Sequence, residues 1–167
     1  MIALVAYATK HGSTREVADA IGERLRERGF GVDVMEARAT PADLSGYDLV
    51  VLGGALYIGR WHHDAVAFLK QHRTELASKP LAVFGMGPAK NAKPAFDAAR
   101  VQLEHSLARA AVTPELTAVF GGVVQPKRLR FPFSWMPASD ARDWAAIESF
   151  ANQAADLAGS RASTDGT

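Results

Sequence analysis

The chain has 167 residues, 48% hydrophobic and 22% charged, with a formal net charge of +1; this supplies apolar material for one sizeable core and argues for a single globular domain. It contains no cysteine, which excludes disulfides, iron–sulfur clusters, zinc–thiolate sites and cysteine nucleophiles, so redox chemistry would have to ride on a bound cofactor. The balanced charge argues against nucleic acid as a partner. With no basic flank or cleavage site around the first strand, and no apolar run near the ~18 residues of a spanning helix, a cytoplasmic protein is expected.

In chain order, short runs rich in Val and Leu alternate with segments of helical period, the pattern of a parallel sheet covered on both faces. Residues 2–8 are predicted as the first strand, followed by a helix with the apolar stripe Val17, Ile21 and Leu25. In the second strand, 32–36, Val32 and Val34 alternate with Asp33 and Met35, which marks a sheet edge. A third strand, 48–53, precedes a helix carrying Ala65, Phe68, Leu69 and His72, with His72 expected as a satisfied, buried histidine. A fourth, 81–86, precedes a helix carrying Phe96, Ala99, Leu103 and Leu107, and a fifth, 117–123, comes before a last helix with Trp144, Ile147, Ala151 and Ala154. The expected fold class is α/β, a three-layer sandwich around a five-stranded parallel sheet of order 2-1-3-4-5. That order puts the ligand crevice beyond the carboxyl ends of strands one and three. The domain is expected over residues 1–158, with the small and polar residues 159–167 as a disordered tail.

Thr9-Lys10-His11-Gly12-Ser13-Thr14 lies directly after the first strand and opens the first helix. A helix N-terminus offers free N–H groups and a positive dipole end, Gly12 permits close backbone approach, and the hydroxyls of Thr9, Ser13 and Thr14 add donors. A phosphate dianion fits such a loop without an arginine. The alternative is a plain helix start, with Ser13 or Thr14 as cap and Glu16 closing a capping box from Ser13. Neither G-x-x-x-x-G-K-[ST] nor G-x-G-x-x-G occurs here. Thr9 and Gly53 stand where a receiver domain would carry acids.

The third strand runs out through Gly53, Gly54, Ala55, Leu56, Tyr57, Ile58, Gly59, Arg60, Trp61, His62 and His63. Backbone freedom and aromatic side chains together suit a flat ring that stacks on one face and takes backbone hydrogen bonds at its edge. Ring contact is expected along Ala55, Leu56, Tyr57, Ile58, Gly59 and Trp61. Trp61 reads equally as core beneath the second helix. No metal is expected at His62 and His63, since adjacent side chains should diverge; helix capping by Asp64, with exposed histidines, is the simpler account. After the fourth strand, Gly85, Met86 and Gly87 open a loop that is basic at Lys90 and Lys93 and has no aromatic, leaving one ring face open to a stacking substrate such as a quinone or porphyrin-like molecule. Lys10, Arg60, Lys90 and Lys93 should make the local field positive, and one charge at about 4 Å is worth up to ~4 kcal/mol at an intermediate dielectric. That sign stabilises a reduced, anionic ring.

Residues 125–137 combine three cations, three aromatics and three prolines, which rules out a long helix. The stretch from Lys127 to Trp135 reads either as a basic, aromatic contact for a partner protein or an anionic lipid surface at the inner membrane face, or as a packed loop wrapping the end of the fifth strand. Three charges are thin support for single-stranded nucleic acid.

The hydroxyl-rich loop resembles the T-x-T-G-x-T phosphate loop of the flavodoxin family, with His11 in place of the middle threonine. The resemblance implies a flavodoxin-like fold with FMN as cofactor, its phosphate held by Thr9, Lys10, His11, Gly12, Ser13 and Thr14. Within the family the chain is most similar to the menaquinone-dependent protoporphyrinogen dehydrogenase branch. The likeness is carried by residues 8–14, by Trp61-His62, by the helix around Phe68 to His72, and by Asp143-Trp144. Two departures are Ile58, where the branch has an aromatic before the glycine, and a shorter insertion before the last helix. The branch implies an FMN-dependent oxidoreductase moving electrons from a small organic donor to a quinone-like acceptor, of the quinone or porphyrinogen dehydrogenase type. His62 is then the candidate catalytic residue, donating or relaying a proton near the ring. A flavodoxin-type electron carrier is the alternative, against which the basic loops argue, and a non-redox binding domain on the same fold is another.

Overall fold

In strand β1 (Ile2–Ala8), successive side chains leave on opposite faces of the sheet. Ala3, Val5 and Tyr7 enter one hydrophobic core, and Leu4, Ala6 and Ala8 enter another. The same alternation recurs in β3 (Leu49–Tyr57) and β5 (Leu81–Met86): Val51, Ala82, Phe84 and Met86 go to the first core, and Val50, Leu52, Leu81 and Val83 to the second. Strands buried on both faces have to read as continuous apolar runs, as these do. The computed structural model describes residues 1–57, 59–124 and 138–164.

The remaining elements follow from the same frame. α1 (Ser13–Glu27) and α5 (Trp144–Thr164) cover the first core through Val17, Ile21 and Leu25 and through Ile147, Phe150 and Ala154. α2 (His63–Gln71), the short α3 (Arg73–Leu76) and α4 (Lys93–Ala110) cover the second through Phe68 and Leu69, Leu76, and Leu103 and Leu107. β2 (Gly31–Glu36) lies at one edge and β6 (Leu116–Phe120) at the other, so the parallel strands run β2-β1-β3-β5-β6. β1, β3 and β5 are each followed by a helix that returns across a face, which places the ends of these three strands side by side at one edge.

Two expectations about the architecture are corrected. The sheet has six strands rather than five, because the chain after Tyr57 turns back and β4 (Arg60–Trp61) pairs antiparallel with β3 at Leu56↔Trp61 and Tyr57↔Arg60. A separate two-stranded ribbon joins β7 (Val123–Val124) to β8 (Ser139–Asp140). Helix α5 also continues through Gly159 to Thr164, past the point where a disordered tail was expected. Its end is tied down by Arg161, which donates to the Ser78 carbonyl at 2.9 Å and to Glu115 Oε1 at 2.5 Å. Among the described residues no helix is long and apolar enough to cross a membrane. Ile58, residues 125–137 with the proposed Lys127 to Trp135 contact, and residues 165–167 lie outside the described residues.

Candidate functional site

The loop between β1 and α1 is held open by its glycine. Gly12 is the residue before the helix and adopts φ 91°, a left-handed conformation that costs any other residue about 1 kcal/mol or more. Its N–H donates to Thr9 Oγ1 at 3.0 Å, which closes the loop on itself. No side chain caps α1, so the N–H groups of its first turn are left for an outside acceptor. The capping box is absent because Glu16 faces elsewhere: its carboxylate pairs with Arg142. Thr14 is fully buried, and its Oγ1 has no hydrogen-bond partner. An orphaned buried hydroxyl costs about 1–3 kcal/mol. Beside uncapped helix N–H groups it suits the oxygens of a phosphate.

The β3–β4 hairpin lies next to this loop. Lys10 Nζ sits 5.7 Å from the Tyr57 ring centroid, and the His11 ring meets Tyr57 edge-on at 6.5 Å. Burial pushes the Tyr57 phenol up, so it stays protonated at neutral pH. On its other side Tyr57 lies 6.2 Å from the His62 ring. Tyr57 thus joins the phosphate-type loop to the start of α2, with its ring half-buried at the crevice.

His62 is buried, 6% exposed. It caps α2, its Nδ1 accepting the Asp64 N–H at 3.1 Å, while its backbone N–H donates to the Ala55 carbonyl at 2.9 Å. Acceptance at Nδ1 assigns the ring proton to Nε2. Burial pushes the His62 imidazole below its ordinary value, and Lys10, Arg38 and His63 press the same way against the pull of Asp64. The cap is therefore His62 and not Asp64, and only His63 is exposed. Nor do the two histidines diverge: their rings stack at 4.6 Å and 21°. With the Asp64 carboxylate their ligand-type atoms lie within 4.8 Å of one another, though His62 Nδ1 is already engaged and His63 Nε2 is 3.1 Å from Asp64 Oδ1.

Other expected site residues go to the core. Trp61 is 3% exposed, its Nε1–H donating to the Gly54 carbonyl at 2.9 Å. A Cβ on Gly54 would come 2.5 Å from Trp61 Nε1, so the glycine makes room for the indole. The indole is thus packed as the core reading of Trp61 has it, with an edge that lines the groove beside α2 and α4. Gly85 and Met86 are ladder residues of β5, opposite Gly54 and Ala55, and the Met86 side chain lies in the first core. Gly87 ends the strand half-buried, donating to the Phe120 carbonyl at 2.7 Å. Ala55 is buried, whereas Leu56 is half-buried and Gly59 exposed. His72 is buried as expected but only half satisfied: it lies 4.7 Å from the Phe68 ring with Nδ1 3.3 Å from Glu75 Oε1, while its buried Nε2 has no hydrogen-bond partner among the described residues.

Sequence reasoning missed Arg142. Its side chain is only 10% exposed, it holds Asp140 at 2.6 Å as well as Glu16, and its guanidinium lies 4.9 Å from the Trp144 ring centroid. These contacts tie the segment before α5 to the first turn of α1 and neutralise the one acid there. The Arg142-Asp143-Trp144 run was visible, but nothing local pointed to Glu16.

A flavodoxin-domain family model matches residues 4–132. The chain is 29% identical over 178 aligned positions to protoporphyrinogen IX dehydrogenase (quinone) of Escherichia coli strain K12, covering 94% of this chain and 96% of that protein. It is 27% identical over 131 positions to the Leishmania major protein of the same name, covering 77% of this chain and 57% of that one. Among solved structures, oxidised flavodoxin 2 from Bacillus cereus superposes with a TM-score of 0.62 at 23% identity, over 96% of this chain and 99% of that one. Rubredoxin:oxygen oxidoreductase from Desulfovibrio gigas gives 0.64 at 14% identity, over 95% of this chain and 36% of that one. The solved structures establish a shared fold. The family match spans most of the chain, whose α/β fold carries an open loop after β1, and the chain belongs to the flavodoxin family as an FMN-binding, flavodoxin-like oxidoreductase.

Proposed function

We propose that this chain is an enzyme of the quinone or porphyrinogen dehydrogenase type, passing electrons from a small organic donor to a quinone-like acceptor. The observation that carries the cofactor's placement is the uncapped start of α1 beside the orphaned Thr14 hydroxyl. Thr9, Lys10, His11, Gly12, Ser13 and Thr14 would hold the phosphate. Ala55, Leu56, Tyr57, Ile58 and Gly59 would meet the ring, with Gly87 on the neighbouring strand end and Gly85, Met86 and Trp61 supporting from within. FMN supplies the electron transfer when bound. Tyr57 offers it an aromatic face, Lys10 a positive charge, and His62 an Nε2–H that would donate a hydrogen bond at the same place and pass on a proton from the cationic form of the ring.

An enzyme is favoured over a carrier because Lys10 and Arg60 sit on the two loops around Tyr57. Protoporphyrinogen IX enters as the first substrate to try because two relatives carry it in their names. Contact with a membrane or partner through Lys127 to Trp135 belongs to the same proposal. The FMN-loaded protein should oxidise protoporphyrinogen IX, or a simpler organic donor, with menadione as acceptor over many turnovers. A flavin that is reduced once by a reductase and never turns over with any quinone would contradict the enzyme reading and favour the carrier.

A further inference from the structure

Most arginines of the described residues hold a carboxylate: Arg15, Arg24, Arg26, Arg28, Arg38, Arg142 and Arg161 each do. Arg60, Lys70 and Arg109 form no ion pair and no side-chain hydrogen bond among the described residues, although they come from three separate elements, β4, α2 and α4. All three line one groove of about 430 Å³, whose apolar part is made by Trp61, Val66 and Ala67. Among the described residues no aspartate or glutamate lines it. Like charges gathered without neutralisation repel one another, and an anion that fills the groove relieves this.

The groove also adjoins the candidate ring site. His63 lines it and stacks on His62, which in turn lies 6.2 Å from Tyr57. Trp61 contributes to it while pairing with Leu56 across the hairpin. A molecule seated here would reach from Lys70 of α2 and Arg109 of α4 towards the loop that carries Tyr57.

We propose that this groove binds an amphipathic anion, an apolar molecule carrying carboxylates, with the carboxylates on Arg60, Lys70 and Arg109 and the apolar body against the exposed edge of Trp61 and Val66. The proposal rests on the functional reading above, which names a porphyrinogen as the first substrate to try; what the groove adds is the place and the residues that would hold the carboxylates. Guanidinium groups suit carboxylates because their N–H donors pair with both oxygens.

The test is a titration of the FMN-loaded protein at low salt with protoporphyrin IX, a dicarboxylate, and with its dimethyl ester, followed by tryptophan quenching and by porphyrin absorbance. The dicarboxylate should bind at least tenfold more tightly than the ester, and the double variant K70Q/R109Q should lose at least tenfold for the dicarboxylate while leaving the ester unchanged. Arg73→Gln removes an exposed arginine outside the groove that likewise has no carboxylate partner. Affinity should be unchanged in it. Equal binding of dicarboxylate and ester, wild-type affinity in K70Q/R109Q, or an equal loss in Arg73→Gln would overturn the proposal. The groove shares no residue with the phosphate-type loop, so the titration can be repeated on FMN-free protein. Failure to take up FMN, read from flavin absorbance, would be seen separately.

Discussion

Thr14 carries a hydroxyl buried without a partner, one position inside an uncapped helix whose preceding residue, Gly12, is left-handed at φ 91°. Thr14→Val keeps the shape and removes the orphan, so the FMN-free protein should be as stable or slightly more stable, within about 1 kcal/mol. FMN affinity should nevertheless fall by about 1.5 kcal/mol, roughly tenfold, since a hydrogen bond to a charged phosphate is lost. Urea denaturation and flavin titration together check this, and unchanged affinity would contradict the assigned role. Gly12→Ala should cost about 1 kcal/mol of stability from backbone strain alone and weaken FMN as well.

His62 links pH to stability in a direction that can be worked out. Burial holds its folded value below the ordinary one, so the unfolded chain binds a proton first as the pH falls. Stability from this residue is complete above the unfolded value of about 6.5 and is lost as the pH drops below it towards the folded value. A proton on Nδ1 would also abolish the acceptor for the Asp64 N–H. Denaturation midpoints should therefore hold above about pH 6.5 and decline below it. His62→Asn keeps a capping acceptor without titrating and should flatten that decline; an unchanged slope would place its origin elsewhere.

At the scale of elements, the β3–β4 hairpin sets the site, and it was only partly legible. The composition of residues 53–63 marked a ring-binding loop. A two-residue strand, however, lies below any period that alternation can reveal, and the roles inside it were set by packing. Trp61 fits because Gly54 offers no side chain. His62 was expected exposed, and it is instead buried, at the end of the hairpin where its backbone N–H bonds the Ala55 carbonyl. Trp61→Phe should cost about 1 kcal/mol of stability, from the lost bond to the Gly54 carbonyl. FMN affinity should stay within about threefold, below ~0.7 kcal/mol, by titration. A tenfold loss of flavin with unchanged stability would instead make Trp61 a ring contact.

Over the whole molecule, the sheet was readable because its central strands are apolar on both faces, an unambiguous signal, and because the polar alternation of Val32 to Met35 marks an edge. The long-range ties were not readable. Arg142 reaches Glu16 across 126 positions, and no local pattern encodes such a pair. That contact helps the first turn of α1 present an uncapped, unopposed positive end, which is where the FMN assignment rests. The most direct measurement is FMN titration of flavin-stripped protein, in wild type and in Thr14→Val, followed by flavin absorbance and fluorescence. The account predicts one FMN per chain in wild type and roughly tenfold weaker binding in the variant. A wild-type protein that stays colourless and takes up no FMN would contradict it.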